Sequence, residues 1–190
     1  MIEKEIRILE IDKKKFVKQI VGMGAQPISE DVVQRRYVYD IEPGDKSKWM
    51  RLRTNGKKTT LTVKQILDKH SIAGTEEHEI EVSDFDQTND MLKKMGFKHR
   101  NYQENMRSVY QFGGVEISVD TWPLIPTYAE LEGDSEAEIV ALVEALGIKP
   151  AQLTTLDVSS IYKEVYGIDM LEIKNLKLGE SYESMLEHNE

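Results

Sequence analysis

The sequence predicts an α+β fold, an antiparallel sheet accompanied by helices. Three observations lead there. Several strand-length segments alternate apolar and ionised residues. Asn55-Gly56 and Gly113-Gly114 stand between such segments as hairpin turns. Elsewhere apolar residues recur at helical spacing behind side chains suited to cap a helix.

The first strand is read over Ile2–Leu9. Successive side chains of a strand point to opposite faces, so Glu3, Glu5 and Arg7 share one face while Ile6 and Ile8 take the other. Asp12 then caps a helix with Phe16, Val17, Ile20 and Val21 on one side, ended by Gly22 and Gly24. Arg36–Asp40 reads as strand, and the Pro-Gly pair in Glu42-Pro43-Gly44-Asp45 turns the chain. Trp49–Arg53 puts Arg51 and Arg53 opposite Met50 and Leu52. Thr60–Lys64 puts Thr60, Thr62 and Lys64 opposite Leu61 and Val63. A polar loop over residues 65–76 leads to Glu77–Val82, with Glu77, Glu79 and Glu81 on one face.

Asp84 opens a helix with Phe85, Met91, Leu92 and Met95 as its apolar face, closed by Gly96. A strand is expected from about Glu104 to Gln111. It is followed by Val115–Asp120, whose Glu116, Ser118 and Asp120 point one way. Trp122–Pro126 is a rigid bend, and Tyr128–Gly133 is the last clear strand, pairing Glu130 with Glu132 on one side. Ser135-Glu136-Ala137-Glu138 has the form of a capping box, ahead of a helix with Ile139, Leu142, Val143 and Leu146. Thr154 is expected to cap a further helix with Val158, Ile161, Tyr162 and Val165 facing inward. A single domain is expected over residues 1–170. Residues 171–190 read as an exposed, charged tail with few apolar side chains.

Composition narrows the function. The chain has 190 residues, 39% hydrophobic and 31% charged, enough to bury a core. Its net charge is −9, which argues against nucleic acid as a partner. It has no cysteine, which excludes disulfides, thiolate nucleophiles and zinc–thiolate sites. No transmembrane run or signal-peptide pattern is present, so a cytoplasmic protein without a membrane role is expected. His70, His78, His99 and His188 have no metal-ligand spacing, and no Ser–His pair or glycine-rich phosphate loop occurs.

What remains is the charged face. It carries the acids Glu3, Glu5, Glu77, Glu79, Glu81, Glu116, Asp120, Glu130 and Glu132, and the bases Arg7, Arg51, Arg53, Lys64 and Arg107, with Arg36 a further base. Two architectures fit. An open sheet could turn this face to water, or the sheet could curl until the face lines a wet interior. Removing an ion from water costs several kcal/mol, so an enclosed face needs hydration, internal pairing or a charged ligand. A lining of both signs suits a polyphosphate with a divalent metal, because guanidinium forks match phosphate oxygens and carboxylates supply hard oxygen ligands.

Glu3-Lys4-Glu5-Ile6-Arg7 resembles the Glu-x-Glu-x-Lys hallmark of the CYTH superfamily, the triphosphate tunnel metalloenzymes. The likeness continues through Arg51-Leu52-Arg53, Leu61–Lys64, Glu79-Ile80-Glu81, Arg107, Asp120 and Glu130–Gly133, over roughly residues 1–147. It implies a closed eight-stranded antiparallel β-barrel, a tunnel, with helices packed outside. It implies Glu3, Glu5, Asp120, Glu130 and Glu132 at Mg²⁺ or Mn²⁺, and Arg7, Arg51, Arg53, Lys64 and Arg107 on phosphates. Glu79 and Glu81, with Arg7, would do the catalytic work. Two departures stand out: Arg7 replaces the hallmark lysine, and Asn105 stands where the family tends to carry lysine. The expected function is metal-dependent hydrolysis of a triphosphate or nucleotide substrate. The alternatives are cyclisation of ATP to cyclic AMP and pyrophosphate, or polyphosphate binding without catalysis. A homodimer is left open.

Overall fold

The computed structural model describes residues 2–187, and His188 lies outside the described residues. The strands are β1 (Ile2–Glu3), β2 (Glu5–Ile8), β3 (Gln26–Asp40), β4 (Lys48–Thr54), β5 (Thr59–Ile66), β6 (Thr75–Val82), β7 (His99–Phe112), β8 (Val115–Thr121), β9 (Tyr128–Gly133), β10 (Leu153–Thr154) and β11 (Asn175–Leu176). They form one sheet in the order β1-β6-β5-β4-β3-β7-β8-β9-β2-β10, with β11 added in parallel to β7. Every other pairing is antiparallel.

Among the described residues the count of eleven corrects the expected eight, and the hydrogen-bonded path is not a closed ring. The first strand is divided at Lys4. Its leading half, β1, pairs with β6, and its trailing half, β2, pairs with β9. The remaining additions, β10 and β11, are two-residue pairings of the C-terminal segment, too short to leave an alternating pattern. The two ends of the long path are therefore held by adjacent residues of one segment. Across that junction the Gly133 N–H donates to the Lys4 carbonyl at 3.2 Å, and the Glu5 N–H donates to the Ile72 carbonyl at 3.0 Å.

Helices cover the apolar face. Helices α1 (Lys13–Gly22) and α3 (Glu136–Ala145) start at Asp12 and Ser135, whose side chains accept from Lys15 N and Glu138 N. They bury Phe16, Ile20, Ile139 and Leu142 against Ile8, Ile117, Ala129 and Leu131. Each large aliphatic side chain so buried contributes about 1.5–3 kcal/mol. Helix α2 (Phe85–Lys94), capped by Asp84, packs Phe85 and Leu92 on Tyr39, Met50 and Leu52. The apolar faces are narrower than expected, because Val21, Met91 and Met95 are exposed.

A third cluster corrects the reading of the tail. Ile173, Leu176 and Met185 are fully buried with Trp122, Ile125 and Tyr128, so residues 173–185 pack on the sheet rather than hang from it. Met185 lies in α5 (Tyr182–Glu187). Few apolar residues suffice there because the bend over residues 122–126 offers them a ready apolar surface. The helix expected after Thr154 is capped by Asp157 instead. It is a short α4 (Val158–Ser160) running into a π turn over Ile161–Val165, which leaves Val165 exposed.

Candidate active site

The alternation of each strand carries ionised side chains to the face away from α1, α2 and α3. There Glu5, Arg7, Arg36, Asp120 and Glu130 are buried, each less than a tenth exposed. Together with Glu3, Arg51, Arg53, Lys64, Glu77, Glu79, Arg107, Glu116 and Glu132, all but Glu5 and Asp120 line a common cavity of about 250 Å³. The charged face therefore looks inward. The cavity shares Arg36, Arg51 and Trp122 with a space at one end, bounded also by Val38, Trp49 and Met170. At the other end it shares Arg53, Glu79 and Arg107 with a space bounded by Asn55 and Lys58.

Glu3, Glu5 and Glu132 come together. Each offers a carboxylate oxygen, and the three oxygens lie within 4.8 Å of one another. Register explains the meeting, since Glu5 is paired directly with Glu132 across β2 and β9, and Glu3 is two residues away on the same face. Like charges this close cannot all stay ionised. Burial, then the neighbouring Glu130 and Glu5, push Glu132 up to about 7. Burial and a hydrogen bond with Glu77 likewise raise Glu3, against the pull of Lys64. The set is hard and oxygen-only, and its two cation neighbours, Arg7 on Glu5 and Lys64 on Glu3, are each shared with a further carboxylate, so the set fits a hard divalent cation.

Glu130 and Asp120 stand outside that triad. Glu130 pairs with Arg7 at 2.7 Å and with Arg107 at 3.2 Å. Burial raises its pKa, but Arg7 and Arg107 outweigh it and hold the carboxyl far below the usual range. Asp120 is fully buried and accepts both Nε and Nη2 of Arg107, at 2.9 and 2.6 Å. It also accepts Asn105 Nδ2 at 2.6 Å. Arg7 further binds Glu5 at 2.8 Å and donates to the Leu156 carbonyl at 2.9 Å, which ties the triad to the C-terminal segment. Burial lowers the pKa of Arg7, yet Glu5 and Glu130 raise it further, so this residue keeps its proton.

Lys64 bridges Glu3 at 2.8 Å and Glu77. Arg51 lies 3.6 Å from Glu77 and 3.5 Å from Glu79, and Arg53 lies 3.7 Å from Glu79. These looser pairs leave guanidinium donors for a ligand. Arg51, burial and Arg107 together lower Arg53 to about 10. Glu79 accepts the Thr62 hydroxyl at 2.9 Å. Glu81 is not brought to the cavity. Near the end of β6 its side chain is 67% exposed, and the nearest cation, Lys58, is 3.9 Å away. Sequence reasoning gave too little weight to Glu77, which joins Lys64, Arg51 and Glu3, and to Arg36. Their alternation was the available signal. Asn105, at the position of the family lysine, accepts Arg36 and donates to Asp120.

Comparison with known proteins converges on one family. The profile of the CYTH domain matches residues 1–164. A protein of Methanocaldococcus jannaschii, named as a candidate adenylate cyclase, is 29% identical over 137 residues, covering 70% of this chain and 77% of its own. A solved structure from Pyrococcus horikoshii superposes with a TM-score of 0.70 at 22% identity, covering 80% of this chain and 94% of its own. A Hippeastrum protein superposes at 0.61 and 16% identity, covering 90% of this chain and 98% of its own. It is described as a candidate adenylyl cyclase with a dominant triphosphatase activity. At these identities the two structures speak for the fold. Among the described residues no helix is long and apolar enough to cross a membrane.

Proposed function

The chain belongs to the CYTH domain family, and from that premise we propose that it is a metal-dependent hydrolase of triphosphate substrates. One observation carries the reading: two members of the carboxylate triad, Glu3 and Glu132, line one cavity with a set of guanidiniums, and the third, Glu5, meets them beside it. We read that cavity as a tunnel. The divided first strand, bonded to both β6 and β9, brings the sheet ends together, and further spaces adjoin the cavity at either end.

In this reading Glu3, Glu5 and Glu132 hold Mg²⁺ or Mn²⁺. A divalent ion there would supply positive charge to phosphoryl oxygens as charge shifts in the reaction. Arg51, Arg53 and Lys64 grip the phosphate chain, and their charge-assisted hydrogen bonds contribute about 1.5–3 kcal/mol each. Arg107 does so with whatever donors Asp120 and Glu130 leave free. Arg7 is a positioning residue that orients Glu5 and Glu130. Glu79, between the arginines and Thr62, is placed to accept a hydrogen bond from the attacking water. Glu81, in solvent, has no part.

The name of the archaeal relative favours a second reading, in which the 3′-hydroxyl of ATP attacks its own α-phosphorus and pyrophosphate leaves. One assay separates the two. The purified protein is incubated with Mg²⁺ or Mn²⁺ and, in turn, tripolyphosphate, thiamine triphosphate and ATP. Orthophosphate release that a chelator abolishes is the expected result. Cyclic AMP with pyrophosphate selects cyclisation. Binding without turnover of any substrate rejects both.

A further inference from the structure

Six cations line the central cavity: Arg7, Arg36, Arg51, Arg53, Lys64 and Arg107. Five of them face carboxylates. Arg36 has no carboxylate partner among the described residues, although it is only 5% exposed. One guanidinium nitrogen donates to Asn105, a neutral amide. Its guanidinium carbon lies over the Trp122 ring, 4.6 Å from the ring centre. Its Nε is buried with no hydrogen-bond partner. The nearby Asp120 is already held by Arg107 and Asn105.

Position adds to this. Arg36 lies on β3, four steps from β1 along one arm of the sheet (β6, β5, β4, β3) and four from β2 along the other (β9, β8, β7, β3). It is thus on the strand most remote in the sheet from β1 and β2, and three steps from the β9 that carries Glu132, yet it lines the same cavity as Glu3 and Glu132. Arg53 sits directly opposite it on β4, so its closest ionised neighbours in the ladder repel it. Burial, then Arg53, Arg51 and Arg107, pull its pKa well down. A guanidinium in that setting gains from any anionic oxygen that enters.

We propose that Arg36 is a substrate-binding residue that grips the phosphoryl group of the triphosphate lying farthest from the carboxylate triad. Trp122 and Asn105 are its positioning residues, one fixing the plane of the guanidinium and the other its rotation. This assignment rests on the triphosphate reading and names the residue that spans the far end of the anion. It also implies a preference for chains long enough to reach from the triad to β3, so pyrophosphate binds more weakly than tripolyphosphate.

The test is calorimetric titration of tripolyphosphate, without metal, into the wild type, Arg36→Gln and Arg36→Lys, with thermal melting of each ligand-free protein. Loss of one charge-assisted contact weakens binding by about tenfold or more in Arg36→Gln, and Arg36→Lys restores part of it. The ligand-free melting temperature of Arg36→Gln stays level or rises, because an uncompensated buried charge is gone. In turnover, KM rises while kcat changes little. Arg36→Met, which keeps the stem on Trp122, gives the same loss of binding. Affinity within about twofold of the wild type, or a fall in melting temperature without loss of affinity, would make Arg36 a structural residue and overturn the proposal. Failure of the wild type to bind tripolyphosphate overturns the triphosphate reading together with this one, whereas binding that survives Arg36→Gln overturns this one alone.

Discussion

On β1, β2 and β9 three carboxylates crowd together, two of them lining the cavity; on β3, β4 and β7 the guanidiniums of Arg36, Arg53, Arg51 and Arg107 crowd along its other side. The crowding is alike in cause, but its relief differs. A carboxylate can take up a proton, and Glu132 and Glu3 both have raised pKa values. Arginine holds its proton, so its charge must be met by carboxylates, as at Arg107, or by a ligand. One wall is thus adjustable through its protons, while the other holds a fixed set of guanidinium charges. On the proposed reading, a pocket built this way suits an anion that arrives with metal.

The largest expected effect strikes the adjustable wall. Glu132→Gln removes a charged oxygen from the triad and lowers kcat by about a hundredfold or more at limiting metal, equivalent to several kcal/mol of transition-state stabilisation. Its folded stability stays level, because the substitution also removes a repulsion. Full activity in that variant would break the division between the walls.

The next effect separates paired from unpaired arginines. Arg107→Gln strands Asp120 and Glu130 without their shared cation, and urea denaturation should register a loss of about 3–5 kcal/mol. Arg36→Gln should register none. Equal losses in the two variants would erase the distinction.

A third prediction concerns pH. The pKa of Glu132 is raised on folding to about 7, so folding favours its protonated form. That contribution is complete below its ordinary value of 4.5 and is lost as pH rises through about 7. The metal-free protein therefore melts at lower temperature as pH goes from about 5 to 8, and saturating Mn²⁺ flattens the decline. A profile flat without metal contradicts this. The smallest effect is at Glu81, where Glu81→Gln should leave kcat and KM within about twofold, its side chain being 67% exposed. A larger loss would return Glu81 to the site.

Much of this was legible in the sequence, and the illegible parts have physical causes. Alternation in Glu3–Arg7, Trp49–Arg53 and Val115–Asp120 identified which side chains share a face, since a strand allows only two. The first ten residues of β3 escaped notice because Gln26–Arg35 does not alternate, contains Pro27 and bulges around Ser29 and Val32, with Asp31 at a φ of 52°. They form a strand because β7 pairs with them, a tertiary cause that local propensity does not express. The same holds for β7 before Glu104, which pairs with β3 and, through Tyr102, with β11. At the site, alternation grouped Glu79 with Glu81. It could not say where along β6 the cavity ends. Nor could it say that Glu130 would be taken by two arginines while Glu132 was left to the triad, because cross-strand register decides that.

The most direct test is Mn²⁺ binding followed by the electron paramagnetic resonance of the free ion, in the wild type and in Glu5→Gln. A carboxylate triad that holds the metal gives one tight site per chain at pH 8, strengthened by tripolyphosphate, and weakens sharply in Glu5→Gln. Equal Mn²⁺ affinity in the two proteins would mean that the three carboxylates do not form the metal site.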